Sequence, residues 1–153
     1  MVSSDGSRRY QTTHTLKDDI FRSTAGDTSW RDYTIEAKIK FNDILADGGG
    51  GLMARYQDTF LWYGFGYANA SGAWQIGKRS EQGDLSLARG PKFVLEQNHY
   101  YAVKIVLKGS SLKLYIDGVL QASATDTTYS KGKIGFAIWH ATVLLDDVTV
   151  TVP

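Results

Sequence analysis

The sequence predicts an all-β fold, an antiparallel two-sheet β-sandwich. From Tyr33 onward nearly every apolar segment alternates with period two, the repeat of a strand with one wet and one buried face. Turn signals punctuate these segments about every 8–12 residues, the spacing of a sandwich or barrel. No stretch demands a helix, and the 153-residue length suits one domain, 1–153, around a single core.

YTIEAKIKF, residues 33–41, puts Tyr33, Ile35, Ala37, Ile39 and Phe41 on one face and Thr34, Glu36, Lys38 and Lys40 on the other. GLMARYQ follows the glycine run 48–51, LWYGFGYA follows Asp58-Thr59, and together they read as a hairpin. AWQIGKR, after Ser71-Gly72, is the next strand. YYAVKIVLK directs Tyr101, Val103, Ile105 and Leu107 inward, and Gly109-Ser110-Ser111 turns the chain into LKLYI. Asp117-Gly118 is a two-residue hairpin turn of the kind that needs positive φ, and VLQASA returns from it. KIGFAIW points Ile134, Phe136 and Ile138 inward, and VLLDDVTVTV closes the chain as a long strand. The stretches around Glu81 and Glu96 read as polar loops, and the first 28 residues give no clear strand.

Charge and composition exclude several functions. The 17 Lys+Arg and 16 Asp+Glu are interspersed, so no broad field gathers nucleic acid or an anionic membrane, and neither partner is expected. Zero Cys excludes disulfides, thiol nucleophiles and Cys-ligated zinc. The first twenty residues hold no apolar run of signal-peptide length, and no window approaches the ~20 apolar residues of a membrane helix. Glycoside hydrolysis needs two carboxylates flanking the scissile bond. Glu36, Glu81 and Glu96 are not spaced to supply them, and most Asp fall at turn positions such as Asp117 and Asp126. His14, His99 and His140 lack metal-ligand spacing, and no nucleophile motif is present. The expectation is a protein without catalysis.

The order SWRDYTIEAKIKF, GGGLMARYQD, FLWYGFGY and YYAVKIVLKGSSLKLYIDGVLQASATDTTYSKGKIGFAIWHATVLLDDVTV resembles the concanavalin A-like jelly-roll modules joined to bacterial polysaccharide-degrading enzymes. It is most similar to the family 66 type of carbohydrate-binding module and to related laminin-G-like domains, over about residues 29–152. The resemblance implies a jelly roll, a polysaccharide or oligosaccharide ligand, a monomer tethered to an enzyme domain, and a secreted bacterial setting. It also implies a structural Ca²⁺ held by oxygens of the last strand and the N-terminal segment, here Asp146 and Asp147 with Asp19, where Asp5 and Asp18 are also at hand. The alternative for Asp146-Asp147 is a pair of solvated or N–H-bonded carboxylates at a strand entry.

Sugars offer apolar C–H faces and hydroxyl edges, so their sites combine aromatic platforms with charged or amide groups. The chain has 9 Tyr, 6 Phe and 4 Trp, many on strands or at their ends. The candidate site is Glu36, Arg55, Asp58, Trp62, Tyr63, Trp74 and Trp139. Arg55 is expected on a wet strand face, and Trp139 is expected to leave the core where the alternation Ile134, Phe136, Ile138 ends. The function expected is a non-catalytic module that targets an enzyme to a fructan or a pectin-like plant glycan. A sandwich hydrolase or lyase and a laminin-G-like protein-interaction domain are the alternatives.

Overall fold

The computed structural model describes residues 20–58 and 60–152. Among them are nine strands: β1 (Ile20–Ala25), β2 (Tyr33–Asp58), β3 (Leu61–Ala68), β4 (Ala73–Ser80), β5 (Gly83–Arg89), β6 (Tyr100–Lys108), β7 (Ser111–Ile116), β8 (Val119–Thr125) and β9 (Lys133–Thr151). All pairings are antiparallel, in the order β5-β4-β3-β2-β6-β7-β8, with β9 pairing both β1 and β2.

The two long strands organise this ladder. The first half of β2 lies between β6 and the end of β9, with Ile35 opposite Ile105 and Val150. Its second half lies between β3 and the start of β9, with Leu52 opposite Phe65 and Phe136. The register slips between Ile44 and Gly49, facing Ala141 and Trp139, where His140 takes φ 46. An irregularity of this kind bends a strand and increases its local twist. The ladder thus folds over on itself, bringing β4 and β5 against β8, and Gly90 sits where a Cβ would lie 2.6 Å from the Gln121 carbonyl oxygen.

One core fills the fold. The five alternating residues of β2, Tyr33 to Phe41, are buried with Tyr101, Val103, Ile105 and Leu107 of β6 and with Ile134, Phe136 and Ile138 of β9, as their periodicity requires. Asp117 and Gly118 have φ 49 and 80, the conformation the predicted hairpin turn demands. Two strands escape the periodicity. β1, IFRSTA, pairs with β9 alone, and β5, GDLSLAR, is an edge strand whose residues are all exposed or half-buried. In β5 only Leu87 and Ala88, neighbours in sequence across a register slip, pack against the core, so no period of two results.

Arg55 is the chief departure from the expected pattern. Regular alternation puts it beside Met53 on the outer face, but the register slips between Ala54 and Asp58 and Arg55 takes φ 48. Its side chain turns inward and is 1% exposed. There Nε donates to the Arg31 carbonyl at 3.0 Å, and Nη1 donates to the carbonyls of Gly109 at 2.8 Å and Tyr129 at 3.1 Å. Nη2 reaches the half-exposed Asp32 carboxylate at 3.4 Å. The Arg55 N–H donates to the Tyr33 hydroxyl, which donates to the Gly132 carbonyl. A planar five-donor group suits this task, because it ties three separate loop carbonyls to one strand. Replacing Arg55 by Met keeps much of the volume and removes these bonds. Bonds to a charged donor contribute roughly 1.5–3 kcal/mol each, and relaxation recovers part of that. Arg55→Met is therefore expected to cost about 3 kcal/mol in urea unfolding, and a loss below about 1 kcal/mol would show that water replaces the network.

Candidate functional site

The faces of β2, β3, β4, β5 and β9 that point away from the core line a cleft of about 460 Å³. On β3 the core takes Tyr63, Phe65 and Tyr67, which leaves Trp62, Gly64 and Gly66 to the cleft. On β4 it takes Trp74 and Ile76, which leaves Gln75, Gly77 and Arg79. Met53 and Ala137 are buried beneath the cleft and lie outside the core cluster.

Glycine makes the floor. Gly51 stands opposite Gly66 and Ala137, while Gly64 stands opposite Met53 and Gly77. The backbones approach too closely at the first pair for a side chain. A Cβ on Gly51 would run into the Phe65 carbonyl, and one on Gly66 would run into the Gly50 carbonyl. A tryptophan ring rests at either end. The Trp62 ring lies over Gly64, where a Cβ would be 2.8 Å from it, and the Trp139 ring lies over Gly49. Four residues of strand rise and one interstrand step place these ring positions roughly 14 Å apart.

Polar groups stand at the Trp62 end. Arg79 Nη1 donates to Asp84 Oδ2 at 2.6 Å, and its guanidinium carbon is 5.5 Å from the Phe60 ring centre. Carboxylate and ring together fix the arginine, whose buried Nε has no hydrogen-bond partner among the described residues. Ser86 stands opposite Gly77, and Gln75 with the exposed Arg89 lies further along the cleft, opposite Gly66. Asp84 is the one carboxylate among the described lining residues.

Of the residues predicted from the sequence, Trp62 and Trp139 line the cleft, each half-buried. Three others are inside the fold, and two are exposed elsewhere. Arg55 is bonded inside the fold as described above. Trp74 is fully buried in an aromatic cluster with Phe41, Tyr67, Phe93 and Tyr101, whose ring centres are 5.5–6.4 Å apart. Tyr63 faces the core because Trp62 faces out. Glu36 is exposed on the other half of β2, opposite Lys104 and Thr149, and Asp58 is exposed where β2 ends. Gln75, Gly77, Arg79 and Asp84 were not predicted. Alternation within AWQIGKR carried the signal for three of them, since a buried Trp74 sends Gln75, Gly77 and Arg79 outward.

The carboxylates of β9 do not complete an ion shell. Asp147 takes φ 52, its Oδ2 lies 3.4 Å from Lys38 Nζ, and its N–H donates to Asp146 Oδ1 at 2.8 Å. No group of three or more His, Asp and Glu placed to hold a metal occurs among the described residues. Asp19, like Asp5 and Asp18, lies outside them.

A continuous antiparallel ladder of this kind belongs to a known class of fold. The chain is a member of the concanavalin A-like lectin/glucanase superfamily, whose family model matches residues 11–150. Among curated proteins it is 31% identical over 123 residues to a levanase of Bacillus subtilis (strain 168). That match covers 79% of this chain and 18% of the levanase, so the chain spans under a fifth of that enzyme's length. Its fold is that of the family 66 jelly roll: the carbohydrate-binding module CBM66 of Bacillus subtilis superposes with a TM-score of 0.76 at 23% identity, over 92% of this chain and 91% of the module. The galectin LEC-6 of Caenorhabditis elegans superposes with a TM-score of 0.67 at 15% identity, over 99% of both chains.

Tyr63 anchors a second polar group under the edge of the cleft. Its hydroxyl donates to Asp126 Oδ1 at 2.6 Å and accepts the Tyr129 N–H at 3.0 Å. Asp126 Oδ2 accepts from Lys78 Nζ at 3.0 Å, and Oδ1 also accepts the Thr128 N–H. Burial pushes the Asp126 carboxyl up, but the bonds from Thr128, Tyr63 and Lys78 outweigh it and hold the group well below the usual carboxylate range. Burial, reinforced by the bond to Asp126, pushes Tyr63 up to about 12. A depressed carboxyl stabilises the fold above its unfolded pKa near ~4 and loses that contribution as pH falls toward the folded value. A raised phenol stabilises the fold below its unfolded pKa near ~10 and loses that contribution as pH rises toward 12. Asp126→Asn should therefore lower the urea midpoint at pH 7 and flatten its decline below pH ~4. An acid limb parallel to that of the parent would show that Asp126 is not the titrating group.

Proposed function

We propose that the chain is a non-catalytic carbohydrate-binding module, a two-sheet jelly roll that holds a polysaccharide for an enzyme domain of the same exported bacterial protein. One observation carries the reading: a main-chain floor between two tryptophan rings, with a fixed Arg79–Asp84 pair beside it. Such a floor admits the flat face of a sugar, the rings offer stacking surfaces, and the pair offers donors and an acceptor to hydroxyls. The distance between the rings suits a short run of sugar units. The similarity to a levanase makes fructan the first ligand to test, with pectin-like glycans next. Absence of catalysis is supported by the cleft's single described carboxylate, already paired with Arg79, where a glycosidase would use two. Binding would then serve a neighbouring enzyme by raising the effective concentration of substrate, with the module itself a monomer.

Titration calorimetry with levan, inulin and pectin fragments tests this. Trp62→Ala and Trp139→Ala should each weaken binding by ~2 kcal/mol, about thirtyfold, with the fold intact by circular dichroism. Release of sugar by the purified chain would replace the reading with that of an enzyme. Saturable binding to a protein but to no glycan would replace it with a laminin-G-like interaction domain.

A structural Ca²⁺ is part of the proposal. It requires Asp19 or its N-terminal neighbours to join Asp146 or Asp147, because the described residues alone are too few. An ion that binds only the folded chain raises its stability by mass action. Chelation should lower Tm and added Ca²⁺ should restore it, whereas an unchanged melting curve and no metal by elemental analysis would remove the ion.

A further inference from the structure

The floor glycines do not all answer to the same cause. Gly51 and Gly66 are imposed by the approach of their strands, and Gly64 is covered by the Trp62 ring. Gly77 is different. A Cβ there would meet only the Leu85 carbonyl oxygen, at 3.4 Å, which is ordinary contact, and its φ is outside the left-handed region. Glycine within a strand weakens it, through backbone entropy and the lack of a side chain to pack. The ladder slips between Ile76 and Gly77, but the extra residue there is Leu87 on β5, so the slip puts no demand for glycine on β4.

The space above Gly77 is bordered by one aromatic ring and several polar groups. Gly64, with the Trp62 ring on it, is its neighbour on β3, and Ser86 is its neighbour on β5. Gln75 and Arg79 flank it on the same face of β4, and Asp84 stands opposite Arg79. An apolar wall thus borders a main-chain floor, with an amide, a hydroxyl and a neutralised ion pair around it.

We infer that Gly77 is a specificity-determining position: its missing side chain is the seat of one sugar ring, packed against Trp62 and read through adjacent hydroxyls by Arg79 as donor and Asp84 as acceptor. At this seat the ligand class is an uncharged sugar, because Arg79 is paired with Asp84 and Lys78 with Asp126, while the exposed Arg89 stands opposite Gln75, two residues along β4. The inference rests on the binding function proposed above and adds which part of the cleft makes the choice.

Gly77→Val tests it, since valine suits a strand and fills the seat. With levan fragments as probe, Gly77→Val should lose at least tenfold in affinity while its Tm equals or exceeds the parent's; Gly77→Ala should lose less. Opposite signs for stability and binding are what a merely structural glycine would not produce. If Gly77→Val binds as the parent does while Trp62→Ala is weakened, this inference fails and the proposed function stands. If the parent binds none of the fructan, pectin, xylan or β-glucan fragments, the function fails and the inference falls with it. If even Gly77→Ala unfolds, the glycine is structural and the inference is overturned.

Discussion

Everything in this molecule hangs on the pairing of β2 with β9. Both strands run the length of the fold, and each contributes to both ends of the core: Ile35 and Ile39 with Val148 and Leu145 at one end, Leu52 and Ala54 with Ile134 and Phe136 at the other. A strand that pairs β9 throughout and takes β6 beside one half and β3 beside the other must bend where the ladder folds over, and β2 does so at the slip between Ile44 and Gly49. The cleft inherits that bend. Trp139 lies on β9 directly opposite Gly49, at the slip, and its ring covers that glycine.

The second slip in β2, past Ala54, has the opposite effect on a side chain. It draws Arg55 into the fold, where a guanidinium binds the carbonyls of Arg31, Gly109 and Tyr129. Burial lowers the pKa of this group, with Tyr33, Tyr63 and Asp32 opposing the effect. Buried main-chain carbonyls need donors, and loops that meet at the end of a sandwich have no strand neighbour to supply them. One arginine serves three such carbonyls. Charge here is a structural material, and the surface loses a residue whose chemistry would have suited a ligand.

Period-two alternation made the fold legible wherever a strand buries one face, which covers β2, β3, β4, β6, β7 and β9. It was silent for β1 and for β5, where only the adjacent Leu87 and Ala88 pack against the core. The site was legible in part. Trp62 and Trp139 could be assigned to the outer face by counting from Tyr63 and Ile138. Arg55 could not, because one slip reverses the sense of the count, and no local residue pattern marks that slip. Trp74 shows a different limit. An aromatic residue on a strand is equally suited to a core or a sugar platform, and only its register with Tyr67 and Ala73 decides between them. Gln75, Gly77 and Arg79 then follow from Trp74 by parity.

The long β2–β9 ladder also dictates an order of assembly. Thr34 pairs with Thr151, so one edge of β2 finds its partner only in the last residues of the ladder. The meanders β3-β4-β5 and β6-β7-β8, by contrast, pair neighbours in sequence. Closing a loop of more than a hundred residues carries an entropic cost that local hairpins avoid, and such non-local pairing slows folding. During synthesis the two meanders can form while β2 still exposes one unpaired edge, and the entry of β9 covers it. The apolar alternation that makes β2 the centre of the native fold therefore makes it the segment most open to wrong partners beforehand, a hazard that ends only when the chain is complete through β9.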